Sequence, residues 1–184
     1  RCQAPAPIPF ETIIVDDGST DATETVVSGL GLPGSFRYIR QQNRGAAAAR
    51  NHGASLARGK FLLFLDSDVV PDPNLLNEHL ESHQTHVKAL IVGRTQIWPA
   101  YQDAAFYRLM GEELFAFDLG DQETPISYQE VISRNFSLRC DAFYKIGNFD
   151  EDLRAYEDTE FAFRAAQLGY QFIYHPRASG VHRH

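Results

Sequence analysis

The sequence predicts an α/β domain in which helices cover both faces of a mostly parallel central sheet. Short apolar runs alternate along the chain with segments of helical character, and turn residues stand between them. Such alternation of strands and helices is typical of a three-layer α/β/α sandwich with a parallel sheet. The 184 residues fit a single domain over residues 1–184, because no repeat, linker or low-complexity segment divides them.

The predicted strands are short and rich in β-branched and aromatic side chains. The run from Phe61 to Leu65 is apolar at every position, as expected for a strand that helices cover on both faces. The last predicted strand stops before Pro176, which has no backbone N–H to donate. The five predicted strands cover residues 12–15, 36–39, 61–65, 89–97 and 171–174.

The predicted helices begin at capping residues and end at or near glycine. Ser19 or Thr20 caps the first helix, and Asp72 followed by Pro73 begins the third. The polar segment 119–130 is predicted to be a loop. The five predicted helices cover about residues 20–29, 45–58, 72–86, 101–118 and 157–168.

Charge and cysteine content restrict the class of protein. The net charge of −7 argues against nucleic-acid binding. Residues 61–130 contain twelve acidic and three basic side chains, a balance that suits a bound cation but is also found on solvated surfaces. Cys2 and Cys140 are too few for a disulfide framework and indicate reduced thiols in a cytoplasmic chain. No apolar run approaches the roughly 18 residues of a membrane span, and residues 1–10 contain no apolar signal-peptide core.

The sharpest chemical feature is the pair Asp66 and Asp68, directly after the strand 61–65. Two carboxylates two residues apart in an extended chain point to the same side, and their like charges repel unless a cation lies between them. Open sites of hard oxygen ligands suit Mg²⁺ or Mn²⁺, which complete their coordination with substrate phosphates. The alternative is a turn in which both residues act as caps.

Four more motifs have side chains suited to the same chemistry. The acids Asp16, Asp17 and Asp21 follow the first strand and could accept hydrogen bonds from a base or ribose, or simply cap the next helix. Arg50 could reach a diphosphate from the helix 45–58, or be an exposed helix arginine. One carboxylate among Glu157, Asp158 and Glu160 could be a general base in a cleft, or these acids are simply favoured by the helix dipole. His182 could bind a metal, or be a surface residue near the chain end.

These motifs, in this order, resemble those of the family-2 glycosyltransferases, which have the GT-A fold. The resemblance covers about residues 10–182 and is weakest over 90–130. Gly147-Asn148 departs from the family's usual pair of glycines, a change that asparagine tolerates because it can adopt a left-handed conformation. The matching segments are residues 15–21, 43–45, 49–53, 64–71, 134–139, 146–150, 156–160 with Arg164, and 176–182.

The resemblance implies a role for each matching residue. Asp17 is the contact to the nucleotide base, and Arg50 is a basic residue that contacts the donor. Asp66 and Asp68 form the metal and donor motif, with Asp68 the firmer ligand of Mg²⁺ or Mn²⁺. Asp158 is the catalytic base of inverting members, and His182 contacts the metal or the diphosphate.

The implied reaction transfers a sugar from a nucleotide-diphosphate sugar to an acceptor hydroxyl with inversion. Metal and Arg50 neutralise the leaving diphosphate while Asp158 takes the acceptor proton. The acceptor is expected to be a saccharide, a lipid-linked molecule or another hydroxyl compound. The resemblance also implies cell-envelope polysaccharide synthesis, in the cytoplasm or in peripheral contact with the inner face of the membrane.

Two other functions fit part of the sequence. A haloacid-dehalogenase-type phosphatase would use Asp66 as its covalent nucleophile, but it leaves residues 15–21 and 156–160 unexplained. A non-catalytic sugar-nucleotide-binding or interaction domain would not need the catalytic-type residues, which are intact.

The start of the chain carries a separate expectation. Family members open with a strand and a helix before the strand that matches 12–15, and Pro5, Pro7 and Pro9 exclude a helix from the preceding residues. We therefore expect an N-terminally incomplete domain that lacks its first strand. Unpaired strand edges would then favour association with a second copy of the chain.

Overall fold

The computed structural model describes residues 9–31, 35–101 and 117–183. Cys2 and most of the predicted helix 101–118 lie outside these ranges. The strands are β1 Thr12–Asp16, β2 Phe36–Arg40, β3 Phe61–Leu65, β4 Val69–Pro71, β5 Ala89–Ile97, β6 Thr124–Pro125, β7 Asn135–Arg139 and β8 Gln171–His182. The helices are α1 Thr23–Gly29, α2 Ala46–Leu56, α3 Leu75–Thr85, α4 Cys140–Ile146 and α5 Glu157–Gln167, with short 3₁₀ turns at Pro99–Tyr101 and Tyr128–Glu130.

The strands form two hydrogen-bonded sheets. β1 and β2 pair in parallel, and the larger sheet has the order β3-β7-β5-β8-β4, with β6 added to β8. Within the described residues, β1 pairs with β2 alone and β3 with β7 alone. β1 and β3 therefore each have one edge without a partner strand in the described ranges.

The α/β class is confirmed, but the sheet is mixed rather than mostly parallel. β5 and β8 are parallel, whereas β7 runs antiparallel to both β3 and β5, and β4 and β6 run antiparallel to β8. Part of the difference arises from β7, which lies between β3 and β5 and has no counterpart among the predicted strands. Because β7 runs antiparallel to both neighbours, β3 and β5 run in the same direction without being adjacent.

One face of the large sheet is covered by an aromatic core. Phe64 and Phe136, neighbours on β3 and β7, stack with ring centroids 5.1 Å apart. Phe149 and Phe161 lie 4.9 Å apart beneath them, and Phe143 from α4 completes the cluster. Packing of these rings holds α4 and the start of α5 against the carboxyl end of β3.

The opposite face is covered by α3 through buried polar side chains. Ser137 Oγ lies 2.8 Å from both His79 Nδ1 and His83 Nε2, and His79 Nε2 lies 3.0 Å from Asn135 Oδ1. Asn135 Nδ2 donates to the carbonyl of Ala178 at 2.9 Å, so one chain of hydrogen bonds crosses β7 from α3 to β8. Burial lowers the pKa of His79 to about 4 and that of His83 to about 3, so both rings are neutral. With helices on both faces, the three-layer arrangement is confirmed.

Other strand predictions also differ from the structure. The short strands β4 and β6 were not predicted, although β6 lies within the predicted loop 119–130, and β8 continues past Pro176 to His182. Pro176 fits because β5 and β8 lose their register between Gly93 and Thr95, so no ladder hydrogen bond is needed there. In the described part of the chain, no helix is both long and apolar enough to cross a membrane.

Candidate active site

The candidate site lies beyond the ends of β1, β3 and β8, beside the first turn of α5. The backbone N–H of Asp66 donates to the carbonyl of Arg134 at 3.0 Å, and the N–H of Val69 donates to the carbonyl of Asp66 at 3.1 Å. The turn that contains Asp66 and Asp68 is thus fixed to β7 on one side and leads into β4 on the other. Both carboxylates emerge at the end of a buried strand, as the sequence predicted.

Asp68 and His182 meet at this edge. His182 Nε2 lies 3.1 Å from Asp68 Oδ2, and the imidazole is almost completely buried while the carboxylate is about one-third exposed. The pairing of β4 with β8 places Val69 opposite His182, and the N–H of Arg183 donates to the carbonyl of Asp68 at 2.7 Å. Backbone pairing therefore sets the distance between the two side chains.

Arg50 joins two acids from different segments. Its Nη2 lies 3.1 Å from Asp66 Oδ1, and its Nη1 lies 2.5 Å from Glu157 Oε1. The guanidinium carbon lies 5.8 Å from the centre of the Phe149 ring. Arg50 is thus not an exposed helix arginine, because its contacts direct it into the site.

Asp158 is held by the segment that precedes β7. Ser133 donates to Asp158 Oδ2 through its backbone N–H at 3.0 Å and its hydroxyl at 3.3 Å. The N–H of Thr159 donates to the other carboxylate oxygen at 2.8 Å. These donors orient the carboxylate at the start of α5, where the helix dipole also favours a negative charge.

Arg134 connects the acidic residues electrostatically. Burial lowers the pKa of Arg134, whereas the charges of Asp66, Asp68 and Asp158 act to raise it. Three carboxylates, two from the turn after β3 and one from α5, therefore act on one guanidinium. The structure brings these three acids together, along with Arg50 and His182.

Asp17 lies at the end of β1 and organises the loop before α2. Its carboxylate accepts from Gln41 Nε2 at 2.8 Å and from the backbone N–H groups of Arg44 and Gly45 at 2.9 and 2.8 Å. Burial acts to raise the pKa of Asp17, but these hydrogen bonds leave it below its ordinary value. Asp17 thus fixes the start of the helix that carries Arg50.

Three contacting residues were not among the predicted site residues. Glu157 stands directly before Asp158, and Arg134 opens the segment 134–139 that carried part of the resemblance. Both could have been suspected from those motifs. Ser133 has no local signal, because its role depends on a contact to a helix 25 residues later in the chain.

The sequence profile described as "Glycosyl transferase family 2" matches residues 3–147. The chain belongs to this family. A validoxylamine A glucosyltransferase from Streptomyces hygroscopicus subsp. limoneus is 30% identical over 192 aligned residues, which cover 88% of this chain and 42% of the relative. The chain thus spans less than half the length of that relative. Membership also removes the grounds for a phosphatase with Asp66 as nucleophile.

Solved structures share the fold of this family-2 chain. S. aureus TarS 1-349 in complex with UDP superposes with a TM-score of 0.75 at 18% identity, over 97% of this chain and 53% of that one. GalNAc-T7 with UDP, GalNAc and Mn²⁺ gives a TM-score of 0.71 at 16% identity, over 95% of this chain and 38% of that one. These similarities confirm the GT-A type of fold.

The residues at the edge of the sheet fit a divalent cation that a ligand helps to coordinate. No group of three or more His, Cys, Asp or Glu side chains in the described ranges is arranged to hold a metal ion. Asp68 and His182 nevertheless offer one oxygen and one nitrogen within 3.1 Å of each other. Mg²⁺ and Mn²⁺ sites of this kind take their remaining ligands from water and substrate phosphates.

Proposed function

We propose that this family-2 chain transfers a sugar from a nucleoside-diphosphate sugar to an acceptor hydroxyl, with inversion at the anomeric carbon. The observation that carries the proposal is the meeting of the Asp68–His182 pair and the Arg50–Asp66 pair at one edge of the sheet. Asp158 interacts electrostatically with Arg134, as do Asp66 and Asp68. An anion-binding arginine, a cation site and a candidate base thus lie together.

Arg50 is proposed to bind the diphosphate of the donor. A guanidinium presents its N–H groups in a planar fork that suits phosphate oxygens. Its charge stabilises the diphosphate as negative charge develops on the leaving group. Asp68 and His182 are the proposed metal ligands, and a divalent cation bound there supplies further positive charge to the leaving group.

Asp158 is proposed to act as the general base. Ser133 donates to Oδ2 through both its N–H and its hydroxyl, whereas Oδ1 accepts from the N–H of Thr159 and retains capacity for a further hydrogen bond. A carboxylate held in this way can accept the proton of an acceptor hydroxyl as that hydroxyl attacks the sugar. Attack from the side opposite the leaving diphosphate inverts the configuration.

The comparisons support a nucleotide donor. The TarS and GalNAc-T7 structures contain UDP, and the latter also contains Mn²⁺. The relative from Streptomyces is named as a glucosyltransferase. We therefore propose a nucleotide-sugar donor and a divalent cation for this chain. The transferred sugar is left open, and the acceptor is a saccharide, a lipid-linked molecule or another hydroxyl compound.

A thermal-shift panel tests the proposal. The protein is heated with UDP-, GDP- and dTDP-sugars in the presence of Mn²⁺, Mg²⁺ or EDTA. At about 100 times Kd, a ligand of the folded state raises Tm by about 5–10 °C for a domain of this size. Absence of any shift across the panel would contradict the proposal. For a donor that binds, NMR of the transfer product then reports the anomeric configuration.

A further inference from the structure

Glu157 and Arg50 form the tightest ion pair at the candidate site. The Glu157 carboxylate is 14% exposed and lies 2.5 Å from Arg50 Nη1, whereas the Asp66 carboxylate is 35% exposed and lies 3.1 Å from Nη2. The more buried acid thus makes the shorter contact. Asp66 is the partner more open to an incoming ligand.

The surroundings of Glu157 hold it in place. It is the first residue of α5, directly after Tyr156, whose φ of 63° lies in the left-handed region that few non-glycine residues adopt. The Phe149 ring lies beside the Arg50 guanidinium and packs against Phe161 of the same helix. Arg50 is therefore fixed by an acid and an aromatic ring that both depend on the position of α5.

We propose that Glu157 is a positioning residue, which holds the guanidinium of Arg50 in the orientation that binds the donor diphosphate. This inference rests on the function proposed above. Glu157 Oε1 takes one N–H of Nη1 and Asp66 Oδ1 takes one N–H of Nη2, which leaves three of the five N–H groups of Arg50 for an anion. A side chain held in its binding orientation loses less conformational entropy when the ligand arrives.

The position of Glu157 also relates Arg50 to Asp158. Glu157 and Asp158 are adjacent on α5, but Glu157 contacts the arginine of the donor side while Asp158 contacts Ser133. The first turn of α5 thus connects the proposed donor-binding arginine to the proposed base.

Charge alone predicts the opposite effect of removing the Glu157 carboxylate. A carboxylate near a diphosphate repels it, so its neutralisation would strengthen binding of the anion. A positioning role predicts weaker binding, because Arg50 loses the partner that orients it. The direction of the change in affinity therefore distinguishes the two roles.

The experiment compares four proteins: the parent, Glu157→Gln, Arg50→Gln and the double variant. Isothermal titration with UDP, GDP and dTDP, each with Mn²⁺, identifies the nucleotide that the parent binds, and that nucleotide is used for all four. We expect Glu157→Gln to weaken binding about 3- to 10-fold in the parent, and less than 2-fold in the Arg50→Gln background. Glu160→Gln is the matched control, since it removes a carboxylate from the Arg164 pair on the same helix. Its affinity should stay within 2-fold of the parent.

The outcomes separate the inference from the proposed function. Tighter or unchanged binding by Glu157→Gln overturns the positioning role. An equal loss in the parent and in the Arg50→Gln background also overturns it, because Glu157 would then act independently of Arg50. A parent protein that binds none of the three nucleotides contradicts the proposed function, and the inference falls with it.

Discussion

His182 Nε2 lies 3.1 Å from Asp68 Oδ2, at a point where the backbones of β4 and β8 are directly paired. The register of β4 and β8 thus sets the distance between the two side chains. A shift of β8 by one residue would turn His182 to the other face of the sheet. This relationship makes Asp68 the sharpest test of the proposed metal site.

Replacement of Asp68 by alanine should abolish the metal dependence of donor binding. The substitution removes the oxygen ligand next to His182, and an imidazole alone is a poor site for Mg²⁺ or Mn²⁺. Titration of the bound nucleoside diphosphate with Mn²⁺ and with EDTA measures the effect. Asp141→Ala, which removes an exposed carboxylate paired with Arg139, is the control. An undiminished response to Mn²⁺ in Asp68→Ala would refute the assignment.

Replacement of Asp158 by asparagine should separate binding from turnover. The amide retains the shape of the side chain but cannot take a proton from the acceptor, so turnover should fall by about 10²–10⁴-fold. Donor and metal affinities should remain those of the parent. Initial rates with saturating donor, together with titration calorimetry, provide the two measurements. The role is wrong if affinity is lost while turnover persists, or if the parent forms a product of retained configuration.

Asp17 should contribute to stability as well as to the nucleotide pocket. Asparagine has one carboxamide oxygen and cannot accept from Gln41, Arg44 and Gly45 in the same geometry. We expect Asp17→Asn to lower the free energy of unfolding by about 1–3 kcal/mol and to weaken nucleotide binding through the start of α2. Urea unfolding and the same titrations measure both. Equal free energies of unfolding for the parent and Asp17→Asn would show that these hydrogen bonds do not stabilise the fold. The control is Asp21→Asn, at an exposed aspartate.

The histidines under α3 should make the fold sensitive to mild acid. Burial lowers the pKa of His79 to about 4 and of His83 to about 3, whereas both titrate near 6.5 in the unfolded chain. Between about pH 6.5 and pH 4 the unfolded state therefore binds more protons, and stability falls as the pH falls. For each proton that the unfolded state binds in excess of the folded state, the free energy of unfolding falls by ~1.4 kcal/mol per pH unit.

Replacement of His83 by phenylalanine tests this pH dependence. The new ring can keep the stack against Phe61, whose centroid lies 4.7 Å from the imidazole, but it cannot titrate. The slope of unfolding free energy against pH should become shallower between pH 4 and 6.5. Ser137 loses one partner, so stability at pH 7 should not increase. A slope as steep as that of the parent would contradict the assigned pKa of His83.

Local sequence patterns predicted the parts of the fold that local interactions determine. β3 and β5 have the predicted limits, and β3 is an apolar run that stops at the turn residues Asp66-Ser67-Asp68. The predicted left-handed asparagine is also present, since Asn148 has a φ of 58°. The N-cap of α1 was placed too early: the helix begins at Thr23, and Ala22 at the N-cap makes no side-chain capping hydrogen bond.

Features that depend on distant contacts could not be predicted in the same way. β7 was not predicted because it contains the polar residues Asn135 and Ser137, which are unusual in a buried strand. They are buried here because histidines on α3 are their hydrogen-bond partners. For the same reason the sheet was expected to be mostly parallel. In the candidate site, the motifs predicted Asp66, Asp68, Arg50 and Asp158, and the structure brings these side chains together. Ser133 and Glu157 depend on where α5 packs against the rest of the fold, which short motifs do not specify.

The separate pairing of β1 and β2 has a consequence for cooperativity. Within the described residues, the strand that leads to Asp17 shares no ladder hydrogen bonds with the sheet that leads to Asp66 and His182. Two such units can open at different free energies, which amide hydrogen exchange would resolve as two levels of protection. A ligand that contacts both units is bound only when both are closed. Its binding energy would then link their opening, so that the protection of β1 rises towards that of β5 as the ligand concentration increases.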